Sequence, residues 1–306
     1  MRRVGYERSG GPEVLELSTA EVPVPGPGEL LVKVQAIGVT LPVVRKVRES
    51  ADPIPLGGEI AGEIVAVGDG VTGYTPGYRV VGLCFGHGYA EYAILAADMA
   101  SPIPDGASAV DAVALVRSGL VALGALDAAR PVAGETALIT AAASGIGHLA
   151  VQLARVRGAA RVVGAVSDPA KAEFVRELGA DDVVTYDQDT WGAPADYALD
   201  AVGGKLLTPA LDALAPGGRL VAYSSGGGTI EAFDLLAAAK SVIGFQIRRI
   251  AQQQPELYDH WRQELWQYFA SGQVRPVHTE FALAEAAQAH ALIEARANLG
   301  KVVLIP

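Results

Sequence analysis

The segment Ala137–Ala154, ALITAAASGIGHLAVQLA, constrains the fold more than any other part of this chain. An apolar run of strand length, Ala137–Thr140, meets a cluster of small residues and then a helix-length stretch, Ile146–Arg157. Small residues allow a tight turn and let backbone N–H groups approach an anion at the helix N-terminus, where the dipole favours negative charge. Ala142 and Ser144 stand where two glycines of a G-x-G-x-x-G pattern would be, so Ala142, Ser144, Gly145, Ile146 and Gly147 form a candidate dinucleotide loop. From these residues alone, a tightly packed strand-to-helix turn is the competing reading.

The surrounding pattern supports a parallel sheet. Arg161–Val166, Asp182–Thr185, Asp196–Asp200, Arg219–Ser224 and Val242–Ile247 read as strands separated by helix-length segments, which implies a doubly wound α/β unit. Ser167 or Asp168 can cap the helix after the second strand, with Pro169 at its first position and Gly179 just past its end. Upstream the chain is β-rich. In Glu29–Val39, Val32, Val34 and Ala36 alternate with Lys33 and Gln35, and short runs follow at Glu63–Val67, Arg79–Leu83 and Tyr89–Leu95. Downstream, Pro255–Ser271 and Glu285–Ala295 read as helices and Lys301–Ile305 as a strand. The expected organisation is therefore one domain built from residues 1–114 and 251–306, interrupted by a dinucleotide-binding domain at 115–250.

Composition removes several function classes. A formal charge of −10 opposes binding to phosphate backbones and anionic lipid surfaces. The single thiol, Cys84, can form neither an intramolecular disulfide nor a multi-thiolate zinc site. Glu7 and Arg8 interrupt the N-terminal region before any apolar run, so no signal peptide is expected and a cytoplasmic location is. The uncharged stretch Thr136–Ala154 is long enough to raise a membrane span, but its Gly, Ser, Thr, His and Gln content argues against one.

The second strand of the α/β unit sharpens the cofactor reading. An NAD site should end that strand in Asp or Glu for the ribose 2′-hydroxyl, whereas here it ends Ala165-Val166-Ser167. Ser167 and Lys171 can instead bind a 2′-phosphate, and Tyr186 after the third strand can close over it, which favours NADPH. Read separately, a helix cap and a solvated lysine are the bland alternatives.

Across nearly its whole length the chain resembles the zinc-independent quinone oxidoreductases of the medium-chain dehydrogenase/reductase superfamily. The resemblance rests on GGPEVL (Gly10–Leu15), PGPGELLVKVQAIGV (Pro25–Val39), GYAEY (Gly88–Tyr92), the AASGIG loop, KAEFVRELGAD (Lys171–Asp181), DYALDAVGG (Asp196–Gly204), LAPGGRLV (Leu214–Val221) and GKVVL (Gly300–Leu304) in order. It implies a GroES-like catalytic domain around a Rossmann domain, NADPH as hydride donor, a homodimer, and 2′-phosphate roles for Ser167, Lys171 and Tyr186.

The same resemblance locates the metal question. Thr40 occupies the metal-binding Cys position of related alcohol dehydrogenases, and Gly58 occupies the His position beside Glu59. A hydroxyl and a glycine do not replace thiolate and imidazole. The expected chemistry is metal-free hydride delivery to a quinone or similar conjugated carbonyl, with Thr40 as candidate donor to the developing oxyanion and Tyr89 or solvent as fallback. Departures from the family cluster near the expected pocket: Thr40 for Asn, Val43 for Asp, Arg45 for Tyr, Val121 for Thr and Tyr78 for Asp. Arg45 suggests an anionic acceptor, unless it sits on a solvated helix with Lys46 and Arg48. An enoyl or enone reductase, and an NADPH-binding protein without turnover, are the alternatives.

Overall fold

Apolar runs bounded by Gly and Pro form the strands, and their burial patterns separate two kinds of sheet. The computed structural model describes residues 1–306 except Phe85, Ser224 and Ser225. The chain divides into one unit of Met1–Arg117 with Val277–Pro306 and a second of Ser118–Pro276.

In the first unit, β1 (Arg2–Gly5) pairs with β2 (Glu16–Thr19). The strands β3 (Glu29–Val39), β4 (Glu59–Val67), β5 (Arg79–Gly82), β6 (Tyr92–Ala96) and β7 (Ala100–Pro102) follow, with the short helix α1 (Leu41–Glu49) after β3. In β3, Lys33 and Gln35 alternate outward between buried Val32, Val34 and Ala36, as period two requires. Its last three residues, Ile37–Val39, are all buried. Helix α2 (Ala109–Ala129) then carries the chain into the second unit. Ser108 and Asp111 box its start: the Asp111 N–H donates to Ser108 Oγ at 2.9 Å, and that hydroxyl donates to the Asp111 carboxylate at 2.6 Å. This helix is apolar and long enough to cross a membrane, but most of it is buried inside the fold.

The second unit alternates β8 (Thr136–Thr140), α3 (Gly147–Val156), β9 (Arg161–Val166), α4 (Ala172–Glu177), β10 (Asp182–Thr185), β11 (Ala195–Asp200), α5 (Leu207–Asp212), β12 (Leu214–Ala222), α6 (Ala232–Ala237) and β13 (Ser241–Gly244). The six strands are parallel in the order β10-β9-β8-β11-β12-β13, so the chain reverses direction across the sheet between β8 and β11. Open parallel sheets bind ligands at such a reversal, beyond the C-terminal strand ends. The fourth strand expected, to Ser224, is observed to Ala222, and Ser224 lies outside the described residues.

Helices α7 (Ile247–Gln253) and α8 (Pro255–Ala270) stay with the second unit. This corrects the expected boundary at residue 251. Trp261 and Leu265 of α8 are buried, the Trp261 indole donates to Asp127 at 2.6 Å, and Gln152 binds the Arg275 backbone from both ends of its amide. The chain therefore returns to the first unit only at Val277. There β14 (His278–Ala282), α9 (Ala286–Glu294) and β15 (Lys301–Ile305) complete the sheet β14-β15-β3-β4-β5-β7, with β6 also pairing β3.

Candidate functional site

In the second unit, β8 delivers the chain into the predicted elbow and Asp200 anchors it. The Asp200 carboxylate is fully buried. It accepts from Thr140 Oγ1 at 2.9 Å and from the N–H groups of Val202 and Gly203 at 3.2 and 2.9 Å, while Thr140 Oγ1 accepts the Ala201 N–H. A buried carboxylate with this many donors fixes the ends of β8 and β11 relative to each other. Ala141 then turns through a left-handed conformation, φ 49°, and its N–H donates to the Tyr186 hydroxyl at 2.8 Å.

The elbow residues divide into those that build it and those that face outward. Ala142 is fully buried and its N–H donates to the Ala165 carbonyl at 3.2 Å, so it is a packing residue and offers no N–H to a ligand, contrary to expectation. Ser144 Oγ accepts the Gly147 N–H at 3.0 Å, and its carbonyl accepts from the His148 backbone and ring, which closes the turn. A β-carbon on Gly147 would lie 2.0 Å from the Ala141 carbonyl oxygen, so only glycine fits there. Gly145 and Ile146 are half-buried, and among the described residues their N–H groups have no protein acceptor. They stand at the start of α3, where an anion is favoured.

The neighbouring strand ends hold the other three predicted residues. Asp168 is the cap: its Oδ1 accepts the Ala170 N–H at 2.8 Å, which commits that carboxylate to the backbone and leaves Ser167 exposed. Lys171 sits half-buried where the cap turn Pro169–Lys171 passes into α4. Tyr186 follows β10, its N–H donates to the Val166 carbonyl, and its ring packs on Trp191 at 5.7 Å between centroids. Elbow, Ser167, Lys171 and Tyr186 all issue from the C-terminal ends of adjacent strands. The donor types there, backbone N–H groups, hydroxyls and an ammonium, are compatible with a phosphorylated ligand.

In the first unit, the predicted catalytic residues separate. Thr40 follows β3 as the residue before α1, and its side chain does not cap that helix. Arg45 is exposed on α1, whose inward face is Val44 and Val47, matching the solvated reading of that residue. Tyr89 is a core residue, which removes it as a donor to a bound acceptor: its hydroxyl shares a 3.0 Å hydrogen bond with His290 Nε2, and the two rings meet edge-on. Burial raises the Tyr89 phenol far above its usual range and lowers the His290 imidazole to about 4.

A buried ion cluster is the feature the sequence did not disclose. Glu59 at the start of β4 places Oε2 2.6 Å from Lys301 Nζ and Oε1 2.7 Å from Arg117 Nη1. The Glu59 and Lys301 side chains are 2% and 4% exposed, and that of Arg117 is 35% exposed. Gly38 makes room, because a β-carbon there would lie 2.6 Å from Glu59 Oε2. Burial pushes the Glu59 carboxyl up, but Lys301 and Arg117 together hold it below the usual carboxylate range. Burial likewise holds the Lys301 ammonium below the usual lysine range despite Glu59. The only sequence signal was Glu59 itself, standing without the metal ligands that accompany it in related enzymes.

The chain is 32% identical over 325 residues to the quinone oxidoreductase of Pseudomonas aeruginosa, covering 100% of this chain and 99% of the relative. It belongs to the quinone oxidoreductase family. Within that superfamily of medium-chain dehydrogenases/reductases, residues 26–105 match the alcohol dehydrogenase GroES-like domain and residues 145–264 match the zinc-binding dehydrogenase family. The Escherichia coli quinone oxidoreductase, solved in complex with NADPH, superposes with a TM-score of 0.90 at 26% identity over 100% of both chains. An enoyl reductase, CurK, superposes with a TM-score of 0.87 at 25% identity over 99% of this chain and 98% of that one.

For this family member the zinc in the domain's name finds no matching donors. Thr40 and Gly58 supply no thiolate or imidazole, Glu59 is committed to two cations, and burial raises the Cys84 thiol to about 12. Among the described residues no three His, Cys, Asp or Glu side chains gather as a metal site.

Proposed function

We propose that this protein is an NADPH-dependent quinone oxidoreductase that works without zinc. The observation that carries the cofactor choice is the end of β9. Its nearest carboxylate, Asp168, caps a turn, while Ser167 follows β9 directly, Lys171 ends the cap turn and Tyr186 follows the neighbouring β10, which supports an adenosine 2′-phosphate there. In this reading the Gly145 and Ile146 N–H groups bind the pyrophosphate, the Lys171 ammonium neutralises the 2′-phosphate, and Ser167 and Tyr186 hydrogen-bond it. Bound NADPH supplies the hydride and the quinone accepts it. Thr40 presents a hydroxyl toward the acceptor, and Arg45 lies outside the site. Reduction of an activated alkene is the second reading, favoured by the enoyl reductase likeness.

Lys171→Ala is expected to weaken NADPH by about 1.5–3 kcal/mol, the scale of a hydrogen bond to a charged group, and to leave NADH nearly unchanged. Titrating each coenzyme against nicotinamide fluorescence checks this, and equal losses would refute the 2′-phosphate assignment. Following NADPH absorbance with small quinones, then enones and enoyl thioesters, tests the reaction. Oxidation by quinones alone or best is the expected result, and turnover only with alkenes would favour the second reading.

The protein works in the cytoplasm as a homodimer in this account. Sheet edge β13 is exposed, and Phe233 and Leu236 of α6, the helix that precedes it in the chain, are 72% and 75% exposed. An apolar, unpaired edge is a surface for a second copy. Phe233→Asp combined with Leu236→Asp should convert the dimer to a monomer in sedimentation velocity, and an unchanged sedimentation coefficient would place the interface elsewhere.

A further inference from the structure

We propose that Arg117 is a catalytic residue whose guanidinium holds the acceptor oxygen on which negative charge develops during quinone reduction. This rests on the quinone reductase reading above and deepens it by naming the electrophile. Glu59 contributes one negative charge, and Lys301, buried at 2.6 Å, suffices to neutralise it. Arg117 adds a second cation to the same carboxylate, so the cluster carries a net positive charge. The surplus cation is the one that reaches the surface, since a third of the Arg117 side chain is exposed, and on that side an anionic partner can reach it.

Donor geometry leads to the same place. Guanidinium has five N–H donors, and Glu59 takes one through Nη1. Among the described residues the others have no protein acceptor. The buried carboxylate also anchors one arm of the fork, which limits the range over which the remaining donors move before charge develops. Thr40 lies at the same end of the sheet: Val39 pairs with Val302 and Gly38 with Glu59, so one further step of the antiparallel register sets Thr40 opposite Lys301. With Thr40 and Gly58 in place of thiolate and imidazole, the Glu59-bound cation that remains accessible is Arg117, since Lys301 is buried.

The chemistry closes. Hydride leaves the nicotinamide of NADPH and forms a C–H bond at the quinone ring carbon β to a carbonyl, the ring C=C pair shifts, and the C=O pair moves onto oxygen. This quinolate takes a proton from water, releasing hydroxide to solvent, and the ring carbon that received the hydride passes a proton to the second carbonyl oxygen by tautomerisation. NADP⁺ and hydroquinone are the products. Arg117 stabilises the quinolate oxygen and exchanges no proton, as its always-charged guanidinium dictates.

Arg117→Gln keeps an N–H toward Glu59 and removes the charge, while Arg117→Met removes both. Both variants should lower kcat for quinone reduction by about 100-fold, the cost of losing one oxyanion donor, with NADPH affinity unchanged. Guanidinium chloride at sub-denaturing concentration should restore part of the Arg117→Met activity. A readout without turnover uses 2-hydroxy-1,4-naphthoquinone, an anion at neutral pH, titrated by tryptophan quenching in the absence of coenzyme. Its affinity should fall about tenfold or more in both variants. Arg117→Gln with wild-type kcat and wild-type affinity for this anion would overturn the proposal. Should the wild-type protein oxidise NADPH with no quinone, the quinone reductase reading fails, and the anion titration still decides whether Arg117 forms an oxyanion site.

Discussion

Glu59→Leu is expected to destabilise the first unit by about 3–5 kcal/mol, because it leaves the Lys301 ammonium buried without its counter-charge. A denaturant titration should show the midpoint falling with little change in slope. Glu59→Leu combined with Lys301→Met should recover much of the loss, since apolar pairs often replace buried ion pairs at little cost. Additive single effects would mean that the pair is not the coupled unit the 2.6 Å contact describes. The pH dependence has a definite sign. Glu59 is held below its ordinary value of 4.5, so its stabilisation is fully present above that pH and is lost as the pH falls further. The stability gap between wild type and Glu59→Gln should therefore be widest near neutrality and close on acidification below about 4.5.

Gly147→Val should abolish useful coenzyme binding. A β-carbon at 2.0 Å from the Ala141 carbonyl oxygen forces the elbow or α3 to move, and branching at Cβ leaves no rotamer that avoids the strand. The cost in stability is about 1–3 kcal/mol, and the displaced Gly145 and Ile146 N–H groups lose their aim. An NADPH affinity about 100-fold weaker, near 2.7 kcal/mol, is the expected result in a fluorescence titration. Retained affinity would mean that the pyrophosphate is held elsewhere.

What the sequence revealed follows from how each element is stabilised. Arg161–Val166, Asp182–Thr185 and Lys301–Ile305 are strands with the bounds their patterns predict, because short apolar runs between turn residues carry their own boundaries. The elbow was legible for the same reason: its demands are local, one close approach at Gly147 and one tight turn. Spacing does not reveal that the Ala142 N–H is spent on Ala165, whereas those of Gly145 and Ile146 have no protein acceptor among the described residues. Tyr89 and the ion cluster were hidden by distance along the chain. Tyr89 meets His290 across 201 positions, and Glu59 meets Lys301 across 242. No periodicity or motif spans such separations. Residues 251–276 belong with the second unit and not the first, a difference no pattern shows, because an amphipathic helix looks the same whichever core its buried Trp261 and Leu265 join.

The first unit is made of two stretches of chain, and that division orders its assembly on the ribosome. Residues 118–276 emerge together and can close their sheet while synthesis continues. The Ile37–Val39 edge of β3 must wait for β15, whose pairing spans the whole intervening domain, and loop closure over such a length is slow. Until Lys301 leaves the exit tunnel, the Glu59 side chain has no lysine to meet, so a nascent chain halted before β15 would hold a finished nucleotide domain and a first-unit sheet with its β3 edge still open.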